Sequence, residues 1–262
     1  MISFDKIVNK MLKKWWNLFF KDDIFEIFDP EKKPEYITQV NKIIYRLKSE
    51  KVIIPIRNWV YLVPQKDDKD LTEIDLIEKY YFKLLKKYLS ENCSSDYYIS
   101  WKKSLEFHLK NYGVPEKIFI VNRNIEKKIF IWNYEVIFKK VQWNVNWKKV
   151  NFYSRLSKMT KTLNIEWINF KVSNLELALV ENALVSDTFE WVDVNFLNKT
   201  IKKYSKYFIK ENFYYIWELK FIMAFNRLKE LSKNIDKDLY EVFLDIIKKN
   251  WWLFIGEGLR KI

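Results

Sequence analysis

The chain has few of the residues that build metal sites and covalent cross-links. It contains one cysteine, Cys93, and one histidine, His108, among 262 residues. A single cysteine excludes a disulfide framework and cysteine-based zinc sites, and a single histidine excludes histidine-rich metal sites. We therefore expect no metal ion and no structural disulfide.

Long apolar segments are also missing. The first 14 residues carry charges throughout and lack the apolar stretch of a signal peptide. No segment approaches the roughly 18 uninterrupted apolar residues of a membrane-spanning helix. An apolar fraction of 49% and a charged fraction of 31% are typical of a folded globular chain. We expect a cytoplasmic protein that makes no membrane contact.

Glycine is scarce and tryptophan is abundant. The chain has 3 glycines and 12 tryptophans, whereas average usage of about 7% predicts roughly 18 glycines. Many tryptophans occupy positions where a turn or a helix end favours glycine. These are Trp59, Trp147 and Trp251, each after an asparagine, and Trp15, Trp16, Trp132, Trp143, Trp167 and Trp191. We hypothesise that the gene uses UGA as a glycine codon that is translated here as tryptophan; the alternative is an aromatic-rich protein with genuine tryptophan.

Basic residues outnumber acidic ones by 47 to 34, which gives a net charge of +13. Only six of the basic residues are arginine, and the lysine content of an A/T-rich genome explains part of the excess. The excess is concentrated in residues 101–170, with 14 basic and 5 acidic side chains, whereas residues 171–262 carry 15 and 13. We predict a shared positive face in the middle region, formed by Arg123, Lys139, Lys148 and Arg155. The alternative is a lysine-rich solvated sheet.

The first 64 residues contain three helical patterns followed by a hairpin. Helical spacing of apolar residues covers 4–12, 20–28 and about 34–50. The third helix has a stripe of Ile37, Val40, Ile44 and Leu47 that predicts its buried face. Two β-rich runs within 52–64 flank Asn58-Trp59, which is typical of a hairpin. This order is that of a winged helix-turn-helix, in which the third helix enters the major groove.

A polar face lies opposite the buried stripe of the third predicted helix. At 100° per residue, Thr38, Lys42 and Tyr45 point outward, with Gln39 and Arg46 on the flanks. Arg57 and Asn58 lie at the tip of the predicted wing. Side chains of this kind suit base edges and phosphates, so we predict that these seven residues bind double-stranded DNA. The alternative is a solvated helix face and an ordinary hairpin.

The fold class predicted for the whole chain is α+β. We expect a winged helix-turn-helix at 1–65, a linker and connecting helix at 66–95, and an α+β domain at 96–262. Residues 66–70 are expected to be a polar linker without a core residue. In the last domain a helix at 97–115 precedes a small antiparallel sheet and a C-terminal helical bundle. The strand candidates are 117–122, 128–131, 134–140, 150–154 and 168–172, and the clearest bundle helices are 195–208, 216–231 and 238–249.

Motifs for catalysis are weak. The chain has no P-loop and no glycine-rich dinucleotide loop, although recoding could hide glycines. Restoring glycine at the tryptophan positions creates no P-loop either, and we expect no cofactor. Asp193 with Glu218 and Lys220 fits the loose spacing of metal-dependent nucleases. Residues 216–231, however, have helical spacing, which points the last two side chains about 200° apart. We expect a protein that is not an enzyme, with a nuclease as the less favoured alternative.

Three segments resemble one protein family. Residues 54–61, with Arg57, Trp59 in place of glycine, and Tyr61, are similar to the arginine-x-glycine-x-tyrosine wing of AbiEi-type antitoxins. These antitoxins belong to type IV toxin–antitoxin and abortive-infection systems. Residues 98–108 resemble the helix of that family that contains a serine and a histidine, here Ser104 and His108. Residues 170–179, followed by Trp191, are similar to a further family segment, and the resemblance spans roughly residues 35–230.

The resemblance implies two activities. The N-terminal winged helix would bind operator DNA and repress the protein's own operon. The C-terminal domain would counter a nucleotidyltransferase-type toxin, directly or indirectly. The alternative from the residues themselves is a winged-helix regulator or interaction module without a toxin partner.

Overall fold

The computed structural model divides the chain into two compact units. Unit 1 comprises Met1–Leu85 and Phe130–Tyr134, and unit 2 comprises Lys86–Ile129 and Glu135–Ile262. The structure describes residues 4–13, 18–31, 33–57, 60–68, 70–145, 148–184, 192–219 and 221–249. No helix in these ranges is both long enough and apolar enough to cross a membrane.

Unit 1 places three helices beside a three-stranded antiparallel sheet. In chain order its elements are α1 (Phe4–Lys13), β1 (Leu18–Phe20), α2 (Lys21–Phe28), α3 (Ile37–Ser49), β2 (Ile54–Arg57) and β3 (Val60–Leu62). The sheet order is β1-β3-β2, with Phe19 opposite Tyr61. The three helices and the β2–β3 hairpin were predicted, whereas β1 was not. The long helix α4 (Glu73–Cys93) follows and contributes residues to both units.

The core of unit 1 follows the predicted stripe with one exception. Val40, Ile44 and Leu47 are buried against α1 and α2 in one hydrophobic cluster. Ile37 was predicted on the same stripe but is 43% exposed. Residues Pro34–Tyr36 wind as a 3-10 turn before α3 begins. This turn places Tyr36 against Phe28, with ring centroids 5.8 Å apart, so an aromatic ring takes the core position expected for Ile37.

The prediction that residues 66–70 lack a core residue is wrong. Asp68 is buried in a 3-10 turn. Its carboxylate accepts hydrogen bonds from the Tyr80 hydroxyl at 2.5 Å and the Gln65 backbone N–H at 2.6 Å. It also pairs with the Lys79 ammonium at 2.6 Å. A carboxylate with this many donors tolerates burial, because each donor replaces a lost water.

Unit 2 is a sheet followed by helices, so the α+β class is confirmed. Apart from Phe130–Tyr134, which belong to unit 1, its large sheet consists of β4 (Tyr97–Ser100), β5 (Lys117–Asn122), β6 (Lys127–Ile131), β7 (Tyr134–Lys139), β10 (Thr160–Ile165) and β11 (Ile168–Ser173). A separate pair is β8 (Gln142–Val145) and β9 (Lys148–Asn151). The helices are α5 (Trp101–His108), α6 (Tyr153–Leu156), α7 (Leu175–Ala183), α8 (Val194–Tyr204), α9 (Lys210–Trp217), α10 (Ile222–Ser232) and α11 (Lys237–Lys248).

The large sheet is mixed rather than antiparallel, which corrects the prediction. Its order is β10-β11-β4-β5-β7-β6, and the pairs β11–β4 and β5–β7 are parallel. Residues 97–100, which were predicted as the start of a helix, form the buried strand β4. One large hydrophobic cluster packs Phe119 and Val121 of β5 with α5 and the helices α7 to α11. Within the predicted helix 216–231, the chain turns between α9 and α10.

Three of the five described tryptophans adopt a left-handed backbone. Their φ angles are 54° at Trp101, 50° at Trp132 and 67° at Trp167. Trp167 and Glu166, φ 49°, link the paired strand ends of β10 and β11 in the manner of a type I′ turn. Trp132 is the first of the two residues that link β6 and β7. A type II′ turn has glycine at this position. Side-chain-bearing residues rarely adopt these conformations, so the backbone at these positions suits glycine.

The other tryptophans do not all follow this pattern. Trp143, expected in a turn, lies inside β8 opposite Val150, because β8 extends through it before the hairpin turns. Trp217 is buried at the end of α9 and contacts Phe225, with ring centroids 5.3 Å apart. Seven further positions lie outside the described residues: Trp15, Trp16, Trp59, Trp147, Trp191, Trp251 and Trp252.

Candidate nucleic-acid interface

The outer face of α3 presents a polar surface. Its inner side is fixed by Val40, Ile44 and Leu47, so residues half a turn away face outward. Thr38 and Lys42 are exposed there, and Gln39 on the flank is half-buried. Tyr45 is 75% exposed. Four of the predicted DNA-binding residues are therefore brought together on one side of α3.

Lys42 has an unneutralised charge within the part of the chain that the structure describes. No carboxylate lies within ion-pair distance of its ammonium there, and its side chain is exposed. Tyr45, one turn further along, offers an exposed ring and a hydroxyl. A cation beside donors and acceptors on one helix face can contact phosphates and base edges together.

Arg46 is held by contacts within unit 1. Its Nε lies 2.7 Å from a carboxylate oxygen of Glu50, and its guanidinium carbon lies 4.0 Å from the centroid of the Phe4 ring. These contacts tie α3 to α1 and compensate part of the positive charge. The geometry gives Arg46 a positioning role between two helices rather than a free phosphate-binding one.

The hairpin that follows α3 is described only in part. The backbone of Arg57 pairs with Val60, after a register shift between Pro55 and Arg57. A shift of this kind twists a hairpin. Asn58 and Trp59 lie outside the described residues, so the predicted wing-tip contact of Asn58 stays a prediction.

The four residues of the predicted basic patch in unit 2 are largely engaged with their surroundings. Arg123 lies 3.5 Å from the carboxylate of Asp96, and its guanidinium is 5.6 Å from the Tyr153 ring centroid. Lys139 lies 3.9 Å from Glu126. Each of these two cations is thus partly neutralised.

Arg155 and Lys148 complete the predicted patch. The guanidinium of Arg155 lies 5.9 Å from the Phe152 ring, one residue before the Tyr153 that Arg123 covers. Lys148 is exposed at the start of β9. The two arginines thus lie on neighbouring rings of one segment, but the carboxylates of Asp96 and Glu126 reduce the positive charge that we predicted for this set.

Sequence reasoning missed a buried polar cluster around Glu181 of α7. The Ser173 hydroxyl donates to its carboxylate at 2.6 Å, the Tyr98 hydroxyl at 3.1 Å and the Trp101 backbone N–H at 3.3 Å. Burial raises the pKa of Glu181 to about 7, although the Ser173 hydrogen bond opposes the shift. The available signal was a glutamate directly after the apolar run 177–180, in a helix whose residues 176–183 are all buried and which therefore has no solvent face there.

His108 belongs to the same region and has a structural role. Its Nε2 lies 2.7 Å from the carbonyl oxygen of Ser173. A carbonyl only accepts, so this nitrogen carries the proton. Burial lowers the pKa of His108 to about 4, against the opposing effect of that hydrogen bond. The imidazole is neutral at physiological pH and fastens α5 to β11.

Two of the three residues considered for nuclease chemistry cap different helices. The Asp193 carboxylate accepts from the Asn195 backbone N–H at 3.0 Å and caps α8. Glu218 is the exposed C-terminal cap of α9, and Lys220 lies outside the described residues. Across the described ranges, no group of three or more histidine, cysteine or acidic side chains is arranged to hold a metal ion.

Comparison with known proteins identifies a shared fold and no family. No family model matches the chain, and no curated protein matches it. Among solved structures, the chain is similar to the crystal structure of the RV2827C protein from Mycobacterium tuberculosis. The TM-score is 0.65 at 11% sequence identity, over 94% of this chain and 80% of that one. At that identity, the likeness concerns the fold alone.

Proposed function

We propose that unit 1 is a winged helix-turn-helix that binds operator DNA and represses its own operon. The order α1-β1-α2-α3-β2-β3 and the sheet order β1-β3-β2 support this proposal, because α3 then stands where a recognition helix stands. The observation that carries it is the outer face of α3, where Thr38, Lys42 and Tyr45 are exposed together.

The residues of this face have separate roles in the proposal. Lys42 binds a phosphate, since its ammonium is a point charge on a flexible stem. Thr38, Gln39 and Tyr45 read base edges through hydroxyl and amide groups. Arg57 and Asn58 contact the backbone or the minor groove from the hairpin.

The test is a gel shift and footprint on the DNA upstream of the gene. Lys42→Ala is expected to weaken binding and to lower the slope of log K against log salt by about one. Lys83→Ala, an exposed lysine on α4 of the same unit, is the matched control. If the wild-type protein does not shift the upstream DNA, unit 1 is a protein-interaction module instead.

We further propose an antitoxin role for the whole chain. The support is the resemblance of residues 54–61, 98–108 and 170–179 to AbiEi-type antitoxins, whose toxins are nucleotidyltransferases. A neighbouring reading frame for such a toxin is the expected genetic context. Co-expression should restore growth to cells that produce this toxin; persistent growth arrest, with both proteins present, would contradict the role.

A further inference from the structure

Four lysines form a line along the outer side of α8 and the 3-10 turn after it. Lys199, Lys202 and Lys203 lie in α8, and Lys206 lies in the turn Ser205–Tyr207. All four are exposed. The spacing i, i+3 and i+4 places the three lysines of α8 on one face, and Lys206 follows them in the turn. We call this set the lysine stripe.

The rotation of α8 is fixed by its buried side. Leu197, Thr200 and Ile201 are almost completely buried, and they lie opposite the lysine stripe at 100° per residue. The stripe therefore faces away from the core of unit 2. It spans seven residues, or about 10 Å along a helix axis at 1.5 Å per residue.

No carboxylate pairs with the lysine stripe within the described part of the chain, and the one ring contact there is that of the Lys203 ammonium, 5.1 Å from the Tyr204 ring centroid. Residues 194–210 contain five lysines and no acidic residue, and none of the four stripe lysines has an ion-pair partner in the described ranges. The nearby Asp236 is occupied, since it accepts from the Leu239 backbone N–H at 2.9 Å and bonds Ser205. Together with the hydrogen bond from Ser205, the positive charge of Lys210 helps to lower the pKa of Asp236. Lys210 is not part of the lysine stripe.

Like charges at these spacings repel each other and destabilise a helix. An ordinary solvated face mixes both signs and avoids this cost, as at the C-terminal end of α11, where Lys249 pairs with Asp245 at 2.9 Å. A face that keeps only lysine is favoured where an external anion supplies the missing charge. Tyr207, 73% exposed beside the stripe, adds a hydroxyl that can donate to a phosphate.

We propose that the lysine stripe binds the phosphate backbone of double-stranded DNA without regard to sequence. One DNA strand carries one negative charge per nucleotide at regular spacing, so a stripe about 10 Å long faces a regular row of phosphates. Lysine ammonium groups on flexible stems suit such a regular row of anions. This surface goes beyond operator recognition by unit 1, and its binding to DNA does not depend on that recognition.

The test compares two variants of the full chain with equal charge changes. The first is K199Q/K202Q/K203Q/K206Q; the control is K117Q/K161Q/K233Q/K237Q, four exposed lysines elsewhere in unit 2. The probe is a labelled duplex of scrambled sequence, titrated by fluorescence anisotropy between about 50 and 200 mM salt. Circular dichroism and thermal melting check that each variant folds.

The stripe variant is expected to lower the slope of log K against log salt by about two to four, at roughly 0.9 per lost contact. The control is expected to change the slope by less than about one. Equal slopes in the two variants would overturn the proposal and leave an acidic protein as the partner to test. An operator duplex measured in parallel separates the two functions, because failure of the winged-helix proposal abolishes operator preference and leaves the scrambled-duplex result intact.

Discussion

Replacing Trp167 with glycine is expected to stabilise the protein. Trp167 has a φ of 67° in the two-residue turn between β10 and β11, and its side chain is 95% exposed. A left-handed backbone costs a residue with a Cβ about 1–2 kcal/mol. Removing the exposed indole leaves no cavity, so little packing energy is lost.

The gain is reduced by the flexibility of glycine in the unfolded chain, about 0.5–1 kcal/mol. The net stabilisation is about 0.5–1 kcal/mol. For a protein of this size, this corresponds to a rise in Tm of about 1–4 °C. Thermal unfolding followed by far-ultraviolet circular dichroism measures this change in Tm.

Two controls isolate the backbone effect. Trp167→Ala removes the indole but keeps the Cβ, so it should not raise Tm. Trp217→Gly removes a buried ring that packs on Phe225 and should cost roughly 3–5 kcal/mol. The reasoning fails if Trp167→Ala stabilises as much as Trp167→Gly, because the gain would then come from losing an exposed indole.

Three further predictions concern the codon, the buried cluster and α3. Mass spectrometry of the protein from its native host should show glycine at positions 101, 132 and 167; tryptophan there would refute recoding. Glu181, with its pKa raised to about 7, stabilises the fold when protonated, so its contribution is lost as pH rises from about 4.5 to 7. His108, with its pKa lowered to about 4, contributes above about 6.5 and loses this contribution as pH falls toward 4. Urea unfolding between pH 4 and 8 should therefore show stability that rises with pH in Glu181→Gln and falls with pH in His108→Gln; parallel profiles would contradict the assignment. Arg46→Ala should lower the free energy of unfolding by about 1 kcal/mol or more, since it loses the Phe4 and Glu50 contacts, while operator affinity falls less than in Lys42→Ala.

Local patterns predicted the elements of unit 1 well. The period of Val40, Ile44 and Leu47 placed the buried side of α3, and the exposed side followed from the same rotation. Strand β1 was missed because three residues are too few for a periodic signal. The buried Asp68 was missed because its partners Lys79 and Tyr80 lie 11 and 12 residues further along the chain.

Pairing in unit 2 could not be read from local patterns. Alternation identified most strands, but the parallel contact of β11 with β4 joins Val172 to Ile99, more than 70 residues apart. Strand β4 was read as helix because Tyr97-Tyr98-Ile99 is apolar throughout, and periodicity cannot separate a buried strand from a buried helix segment. Tertiary contacts decided both points.

Contacts between residues that are distant in sequence also decide which basic side chains are paired with carboxylates. Charge counted over long segments favoured residues 101–170, yet Arg123 is paired with Asp96 and Lys139 with Glu126. The segment 171–262 has an excess of only two, because acidic residues elsewhere in it offset the lysine stripe in the total. Charge therefore has to be counted by helix face, after ion pairs are removed.

The two proposed surfaces carry different chemical groups, and we therefore expect them to have different roles in DNA binding. The outer face of α3 presents Lys42, which has no ion-pair partner among the described residues, beside hydroxyl and amide groups that we propose distinguish bases. The lysine stripe has cations and no comparable set of base-reading groups, so it supplies affinity that depends on salt and not on sequence. A repressor of the proposed kind would use both, because base contacts select an operator while phosphate contacts hold a protein on DNA. Variants of α3 should therefore change the ratio of operator to scrambled affinity, and variants of the stripe should change both affinities by the same factor.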